Sequence, residues 1–328
     1  MSIHVIKPGA LSTLQDLGRL GYQRFGVSVN GAMDERSHRM ANFLVGNPGA
    51  WPTLEITLTG PTLRFDVDVT IAISGADISP MLDGLPVDTG EAVLAERGSV
   101  LSFGERVYGA RAYLAVRGGF AADTVLGSQS TNFRARFGGF HGRALLKGDT
   151  LALAAPSVWP HDDEPLQAPR LAPAVWRAAD SPIRVLEGRE WERFTPASHR
   201  HLLSETYTVA AQSDRMGYRL SGAVLERAVT GDMWSETMPF GAVQVPPDGQ
   251  PIILMTDRGT SGGYPRIANV VSVDLPRLAQ KVPGETIRFE LSTMEHAHQL
   301  YCNQADTFAR MDELASLPAQ KRTQRSLI

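Results

Sequence analysis

Leu63-Arg64-Phe65-Asp66-Val67-Asp68-Val69-Thr70-Ile71-Ala72-Ile73 carries an apolar side chain at every odd position and mostly polar or small ones between. Successive side chains of a β-strand point to opposite faces, so this period of two predicts one half-buried strand. Outward from it, short apolar runs recur at Val100-Phe103, Tyr113-Val116, Tyr207-Ala210, Val243-Val245, Ile252-Met255, Val270-Val273 and Ile287-Leu291, bounded by Gly, Pro or Asp. Many short strands at such spacing predict barrels or sandwiches, in a mainly β (α+β) chain. The spacers hold no regular amphipathic helices of about 10–15 residues, which argues against βαβ units and a doubly wound nucleotide-binding sheet. The 31 glycines, 21 prolines and 7% aromatics agree with a turn-rich β architecture.

Helices are few, and their caps place them. Asp34 precedes a predicted helix over 35–45, with Met40, Ala41 and Leu44 on one face and Gly46 as its stop. Ser292-Thr293-Met294-Glu295 reads as a capping box opening a C-terminal helix, buried along Met294, Ala297, Tyr301, Phe308 and Met311. Asp274-Leu275-Pro276 starts a short helix that ends before Pro283-Gly284. Residues 156–182 hold Pro156, Pro160, Pro165, Pro169, Pro173 and Pro182 around Asp162-Asp163-Glu164, and read as a linker. That reading gives domains at 1–155 and 183–318, with a frayed tail at 319–328.

The chain's 328 residues are enough for two domains, each with its own core. With Lys+Arg 32 against Asp+Glu 35, the net charge of -3 offers no field to attract nucleic acid or an anionic membrane. Cys302 is the only cysteine, which excludes an intramolecular disulfide and a thiolate-rich metal site and fits a reducing compartment. Lys7, Asp16, Arg19 and Arg24 interrupt the first 25 residues, and no run of about 18 apolar residues occurs. The expectation is a cytoplasmic protein.

Several chemical motifs fail. Neither G-x-x-x-x-G-K-[ST] nor G-x-G-x-x-G occurs, so a self-contained phosphate loop of either kind is absent. Gly259-Thr260-Ser261-Gly262-Gly263 matches G-x-S-x-G after a predicted strand. A nucleophile elbow leads into a helix, however, and Tyr264-Pro265 with the β-branched stretch after it favours a glycine-rich turn. His199/His201 and His296/His298 are spaced i,i+2 and cannot share one face of a strand or a helix, so they read as surface or cap histidines. Cys302 reads as a small buried hydrophobe.

Five glycine-rich polar segments fall where strands should end, the place where a barrel opens its binding mouth. They are Thr13-Arg19, Val29-Asp34, Leu126-Thr131, Gln212-Arg219 and Asp257-Pro265. Adjacent glycines let backbone N–H groups approach a ligand oxygen, and a nearby Asp supplies the complementary acceptor, a combination suited to an amide or lactam. Each loop also reads as a turn requiring positive φ. Asp34 doubles as the predicted N-cap, and Arg215 and Arg219 serve equally as surface ion pairs or as a carboxylate clamp.

Leu14-Gln15-Asp16-Leu17-Gly18-Arg19, Asn30-Gly31-Ala32-Met33-Asp34, Ala41-Asn42, Val45-Gly46-Asn47, Leu54-Glu55, Gly118-Gly119, Leu126-Gly127-Ser128, Ser130-Thr131, Arg215-Met216-Gly217-Tyr218-Arg219-Leu220, Gln244-Val245-Pro246 and Gly262-Gly263-Tyr264-Pro265 follow one another in this order. Together they resemble the KipA family. It includes the C subunit of bacterial 5-oxoprolinase, is related to the carboxyltransferase region of urea carboxylase, and is also called allophanate hydrolase subunit 2. The resemblance runs from about residue 3 to about residue 300. Gln129, Ser261 and Gln212 depart from it, standing where a basic residue, a threonine and a small residue are expected.

The resemblance implies two cyclophilin-like β-barrel domains. It also implies partners, a KipI-like B subunit joined in the oxoprolinase system by a LamB/YcsF-like A subunit. The implied reaction is ATP-dependent opening of 5-oxoproline to glutamate, with ATP shared with the partner. The alternatives are transfer of a carboxyl group from carboxybiotin on a separate protein to urea or a similar amide, and a non-catalytic regulator that binds a KipI-like partner. Both reactions act on an N–H beside a C=O, so charge on the oxygen must be stabilised while an acceptor engages the nitrogen. Asp257 or Asp34 is the expected acceptor. Gly262 and Gly263 are expected at the carbonyl oxygen beside Tyr264 and Gln244, and Arg215 at the substrate carboxylate. Asn30, Gly31, Ser128, Ser130, Thr131, Tyr218 and Thr260 complete the expected substrate-binding set, with no metal ligands.

Overall fold

In the computed structural model, which describes residues 1–158, 181–229, 231 and 233–316, the stretch from Leu63 to Ile73 is two strands rather than one. Asp66 and Asp68 break it. The Asp66 carboxylate accepts the Ser2 hydroxyl at 2.6 Å and pairs with His4, while Asp68 accepts the backbone N–H of Arg97. Polar side chains so engaged turn the chain, and the halves join different sheets.

The chain divides into two units. The first holds Met1–Arg19 and the described residues of 30–158 and 306–316; the second holds Leu20–Val29 and the described residues of 181–305. The expected linker over 156–182 and the tail over 319–328 lie almost wholly or wholly outside the described residues.

The first unit contains β1 (Ser2–Lys7), β2 (Leu11–Gln15), β3 (Thr53–Thr57), β4 (Thr62–Phe65), β5 (Val69–Asp77), β6 (Pro80–Leu82), β7 (Leu85–Pro86), β8 (Ala92–Ala95), β9 (Val100–Phe103), β10 (Tyr108–Val116) and β11 (Thr150–Ala152). They form a six-stranded sheet, β11-β1-β4-β9-β6-β7, and a five-stranded sheet, β2-β3-β10-β5-β8. Ile3, Leu63, Phe65 and Leu101 of the first share one core with Leu14, Ile56, Ile71, Ile73 and Leu114 of the second, so the sheets pack face to face. The other face of the five-stranded sheet is covered too. Ala72, Tyr113 and Ala115 pack there against Ala41, Leu44 and Val45, at α1 (Glu35–Leu44). This double burial explains the sequence pattern: large residues at odd positions of β5 face the sheet partner, and a small one between them faces the helix.

The second unit contains β12 (Ile183–Glu187), β13 (Tyr207–Val209), β14 (Gly217–Ser221), β15 (Glu236–Thr237), β16 (Ala242–Gln244), β17 (Ile252–Leu254), β18 (Ser261–Gly262), β19 (Arg266–Val270), β20 (Thr286–Ile287) and β21 (Phe289–Leu291). Eight of these run in the order β20-β13-β14-β17-β16-β19-β12-β21. Its two end strands are separated in sequence only by Arg288, so a single stretch of chain serves both edges and the sheet nearly closes. The strands β15 and β18 form a separate ribbon.

Three further helices are described: α2 (Pro196–Ser204), α3 (Leu275–Ala279) and α4 (Met294–Ser316). The sequence reading missed α2, although Thr195-Pro196 is a cap-plus-proline start and the Thr195 hydroxyl accepts from Ser198 N–H. Only Val270 of the expected strand Val270-Val273 is in a strand, because Ser272–Asp274 already form a 3-10 turn leading into α3. On α4, Ala297 and Met311 are buried as expected, but Met294 and Tyr301 are 70% and 55% exposed. Thr293, not Ser292, supplies the cap bond, to His296 N–H. Cys302 is half-buried, with Sγ at 3.6 Å from His298 Nε2. Among the described residues no helix is long and apolar enough to cross a membrane.

Candidate functional site

Most of the expected site residues fall into two groups, one in each unit. In the first, the buried Asp16 carboxylate ties its own segment to that of Ser128–Ser130. Its Oδ1 accepts Gly18 N–H and the Ser128 and Ser130 hydroxyls at 2.7, 2.7 and 2.5 Å, and its Oδ2 accepts Gln129 N–H. Thr131 is pinned by its N–H and hydroxyl to Leu14 O, both at 2.9 Å. Arg19 is 1% exposed; its Nη1 donates to the Asn30 side chain, its Nη2 to Ser130 O, and it lies over the Phe137 ring. Asn30 and Gly31 turn the chain with φ of 59° and 93°, and a Cβ on Gly31 would stand 3.0 Å from Gly18 N. Glycine is therefore required at Gly31 by both conformation and space.

Asp34 is fully buried at the start of α1. It accepts Ser37 N–H and Ser37 hydroxyl at 2.9 and 2.7 Å, so it is the helix N-cap. Its own N–H donates to the Tyr113 hydroxyl, which donates to Glu55, and Glu55 also accepts Met33 N–H. Burial beside Glu55 and Asp34 pushes the Tyr113 hydroxyl well above its ordinary range, so it stays a neutral donor. Asp16 and Arg19 thus hold Asn30, Ser128 and Ser130 together, while Glu55 fixes Met33 and Tyr113 beside Asp34. Asp16, Arg19 and Glu55 were quoted in the sequence motifs but not chosen as site residues. The usable signal was a charged residue inside an otherwise apolar or glycine-rich run.

In the second cluster, Arg215 precedes β14 and Asp257 follows its ladder partner β17. The two meet as a two-pronged ion pair, Nε to Oδ2 at 3.0 Å and Nη2 to Oδ1 at 2.9 Å, and Asp257 N–H donates to Arg215 O. Gln244 on β16 is buried, and its Nε2 donates to Tyr264 O at 3.2 Å and Met238 Sδ at 3.3 Å. A Cβ on Gly262 would stand 2.7 Å from that Nε2, so Gln244, Gly262 and Tyr264 are neighbours. Gly262 lies in the ribbon opposite Glu236; Gly263, just beyond, is exposed, and Tyr264 is 46% exposed. Thr260 is half-buried, and its carbonyl accepts Met238 N–H. Tyr218 is set apart from this group: buried in β14, its hydroxyl donates to Lys281 O at 3.3 Å.

Ser261 is exposed in β18, within a ribbon rather than at a strand-to-helix turn, so no nucleophile elbow forms. His199 stacks on Trp191 at 3.9 Å and contacts its carbonyl, and His201 contacts Val224 O; both are structural. Among the described residues no group of three or more His, Cys, Asp or Glu side chains could hold a metal ion. The polar groups brought together are backbone N–H groups, amides and hydroxyls, with one two-pronged ion pair, Arg215–Asp257.

This chain is 40% identical over 299 residues to the 5-oxoprolinase C subunit of Haemophilus influenzae, covering 91% of this chain and 94% of that protein. It is 38% identical over 295 residues to the 5-oxoprolinase C subunit of Escherichia coli, covering 90% and 93%. Among solved structures, the K. lactis urea amidolyase superposes with a TM-score of 0.85 at 32% identity, over 97% of this chain and 20% of that one. The family model for the carboxyltransferase domain, subdomain A and B, matches residues 25–291, which takes in every expected site residue from Asn30 to Tyr264. The chain is therefore a member of the carboxyltransferase domain family, subdomain A and B.

Proposed function

We propose that this chain is the C subunit of an ATP-dependent 5-oxoprolinase, opening 5-oxo-L-proline to L-glutamate in the cytoplasm with KipI-like B and LamB/YcsF-like A subunits. The observation that carries this reading is the near end-to-end match, at 40% identity, to a protein of that name and similar length. The chain's lack of either common phosphate loop is consistent with a nucleotide held by a partner or at a shared site. The finer architecture is part of the same proposal: cyclophilin-like barrels at 1–155 and 183–318, joined through 156–182. The near closure of the eight-stranded sheet supports it in the second unit, and the two packed sheets support it in the first.

Opening the lactam adds water across the C–N bond: negative charge develops on the carbonyl oxygen as the C–O bond forms, and the C–N bond then breaks as the leaving nitrogen takes up the proton given up by the water and becomes the amine of glutamate. Gly263, just beyond the ribbon, offers its N–H to that oxygen, with Gly262, Gln244 and Tyr264 alongside. Asp257 accepts the ring N–H, its carboxylate held in orientation by the two-pronged bond from Arg215. Asn30, Gly31, Ser128, Ser130 and Thr131 shape the other cluster through Asp16 and Arg19. Asp34 acts there first as a cap.

The family membership and the TM-score of 0.85 to urea amidolyase favour a second reading, carboxyl transfer from carboxybiotin on a separate protein to a small amide. Reconstitution separates the two. ATP turnover with 5-oxoproline is measured with the chain and its B and A partners, omitting each in turn. Turnover that disappears without this chain is the expected result. Turnover indifferent to its omission would make it a regulator of the KipI-like partner, and none in the folded mixture would leave carboxyl transfer.

A further inference from the structure

Asp257 and Arg258 are neighbours in opposite circumstances. Asp257 has both oxygens engaged by Arg215. Arg258 is 7% exposed, yet its contacts are with neutral groups: Nε donates to Met238 O at 2.9 Å, Nη1 to Met255 O at 3.4 Å, and the guanidinium lies 5.6 Å from the Phe240 ring centroid. Among the described residues no carboxylate pairs with it and Nη2 has no acceptor. A buried cation without a counter-charge is costly, and proteins retain one where a ligand supplies the charge. Burial lowers its pKa to about 10, against the opposing charge of Asp257, so it stays cationic at neutral pH.

Its position ties it to the lactam cradle through one residue. Met238 gives its carbonyl to Arg258 and its sulfur to Gln244 Nε2, and its Cγ would lie 3.1 Å from a Cβ on Gly262. A cation lacking its anion therefore borders the loop that carries Gly262, Gly263 and Tyr264. Arg215 cannot serve equally, because turning to a substrate would strip Asp257 of its partner.

We propose that Arg258, rather than Arg215, binds the carboxylate of the substrate, and so selects lactams that carry an acid group over those that do not. This rests on the lactam reading above. The carboxylate sits against the Nη edge of the guanidinium while the ring amide faces Gly263 and Asp257. Nothing is transferred in this contact.

The test is calorimetric titration of the full chain with 5-oxo-L-proline and with 2-pyrrolidone, the same ring without the carboxylate, alongside Michaelis constants of the reconstituted complex. Wild type is expected to favour the acid, Arg258→Gln to bind it about 10–100-fold more weakly with 2-pyrrolidone unaffected, and Arg258→Lys to recover part of the loss. In the complex, Arg258→Gln raises KM far more than it lowers kcat. Unchanged affinity and KM in a folded Arg258→Gln protein overturn the assignment while leaving the lactam reading intact. Absence of turnover in the wild-type complex defeats that reading instead, and the titration still decides Arg258. Should the Gln variant not fold, the guanidinium nitrogen signals of wild-type chain labelled at arginine decide: a shift of the Arg258 signal with 5-oxoproline and none with 2-pyrrolidone supports the site, and equal response to both removes it. Acetate displacing 5-oxoproline without binding at this signal would place the carboxylate elsewhere.

Discussion

His38 shows how one side chain on α1 sets a pH limit for the first unit. It is wholly buried, with Nδ1 at 2.8 Å from the Thr53 hydroxyl, and burial lowers its pKa from 6.5 to about 4, outweighing the opposite pull of Asp16 and Glu55. The unfolded chain therefore binds a proton between these values that the folded chain refuses. Stability from this residue is full above pH 6.5 and is lost as the pH falls toward 4, by about 3 kcal/mol in all. Urea unfolding between pH 7 and about 5, above the range in which most carboxylates protonate, is expected to show this slope in wild type and a flatter one in His38→Gln. At Gly31 the expectation is steric. Gly31→Ala adds a Cβ at 3.0 Å from Gly18 N and Leu17 C with φ of 93°. A loss of about 1–3 kcal/mol follows, read as a lowered unfolding midpoint, together with a weaker Asn30 to Ser130 cluster.

Elements here are held by a few buried carboxylates, and Asp34 separates an element's need from the site's need. Asp34→Ala should cost about 1–2 kcal/mol by uncapping α1, whereas Asp34→Ser keeps an acceptor for Ser37 N–H. Full turnover in Asp34→Ser would reduce Asp34 to a cap; loss of turnover at retained stability would make it an acceptor for substrate. Asp274 is the parallel case in the second unit, 1% exposed and bonded to Arg184 through its N–H, Nε and Nη2. Breaking it with Asp274→Asn should cost about 1.5–3 kcal/mol, measured by chemical denaturation, because the half-buried Arg184 guanidinium then loses its charge partner. These elements also mark what the sequence could tell. The Asp34 cap and α1 were legible because cap and apolar face are local signals. The break at Asp66 was not: alternation continues across it, and only the distant partners Ser2, His4 and Arg97 turn those aspartates into a corner. Likewise Asp257 and Arg215 were both singled out in the sequence, but their pairing was not legible there, since 42 residues separate them and only the β14–β17 ladder joins them.

At the scale of the molecule, sequence periodicity predicted barrels or sandwiches but could not show how a sheet ends. Ile287-Leu291 reads as one strand, and the structure uses it as two: Ile287 pairs with Tyr207, and Phe289 pairs in parallel with Ile183 across the other edge. A sheet whose first and last strands are one stretch of chain has no free edge to fray there, which is the advantage of closure over an open sheet. Arg288 is the hinge, its carbonyl accepting Ile183 N–H at 2.7 Å. Phe289, 2% exposed, packs its ring 6.0 Å from that of Tyr207, so it contacts one edge while pairing with the other. Phe289→Ala should cost about 3–5 kcal/mol. Its more telling effect is spatial. Amide hydrogen exchange should lose protection together in β12 and β13, which are separated by β14, β17, β16 and β19 through the rest of the sheet, whereas truncating Ile253 in the middle should loosen β17 and its direct neighbours β14 and β16 first. If Phe289→Ala loosened only β12, the two edges would be independent and the sheet an open one; simultaneous loss would show that the barrel is locked by this single crossing, and that the strands carrying Arg215, Gln244 and Asp257 are held in register from a seam on its far side in strand order.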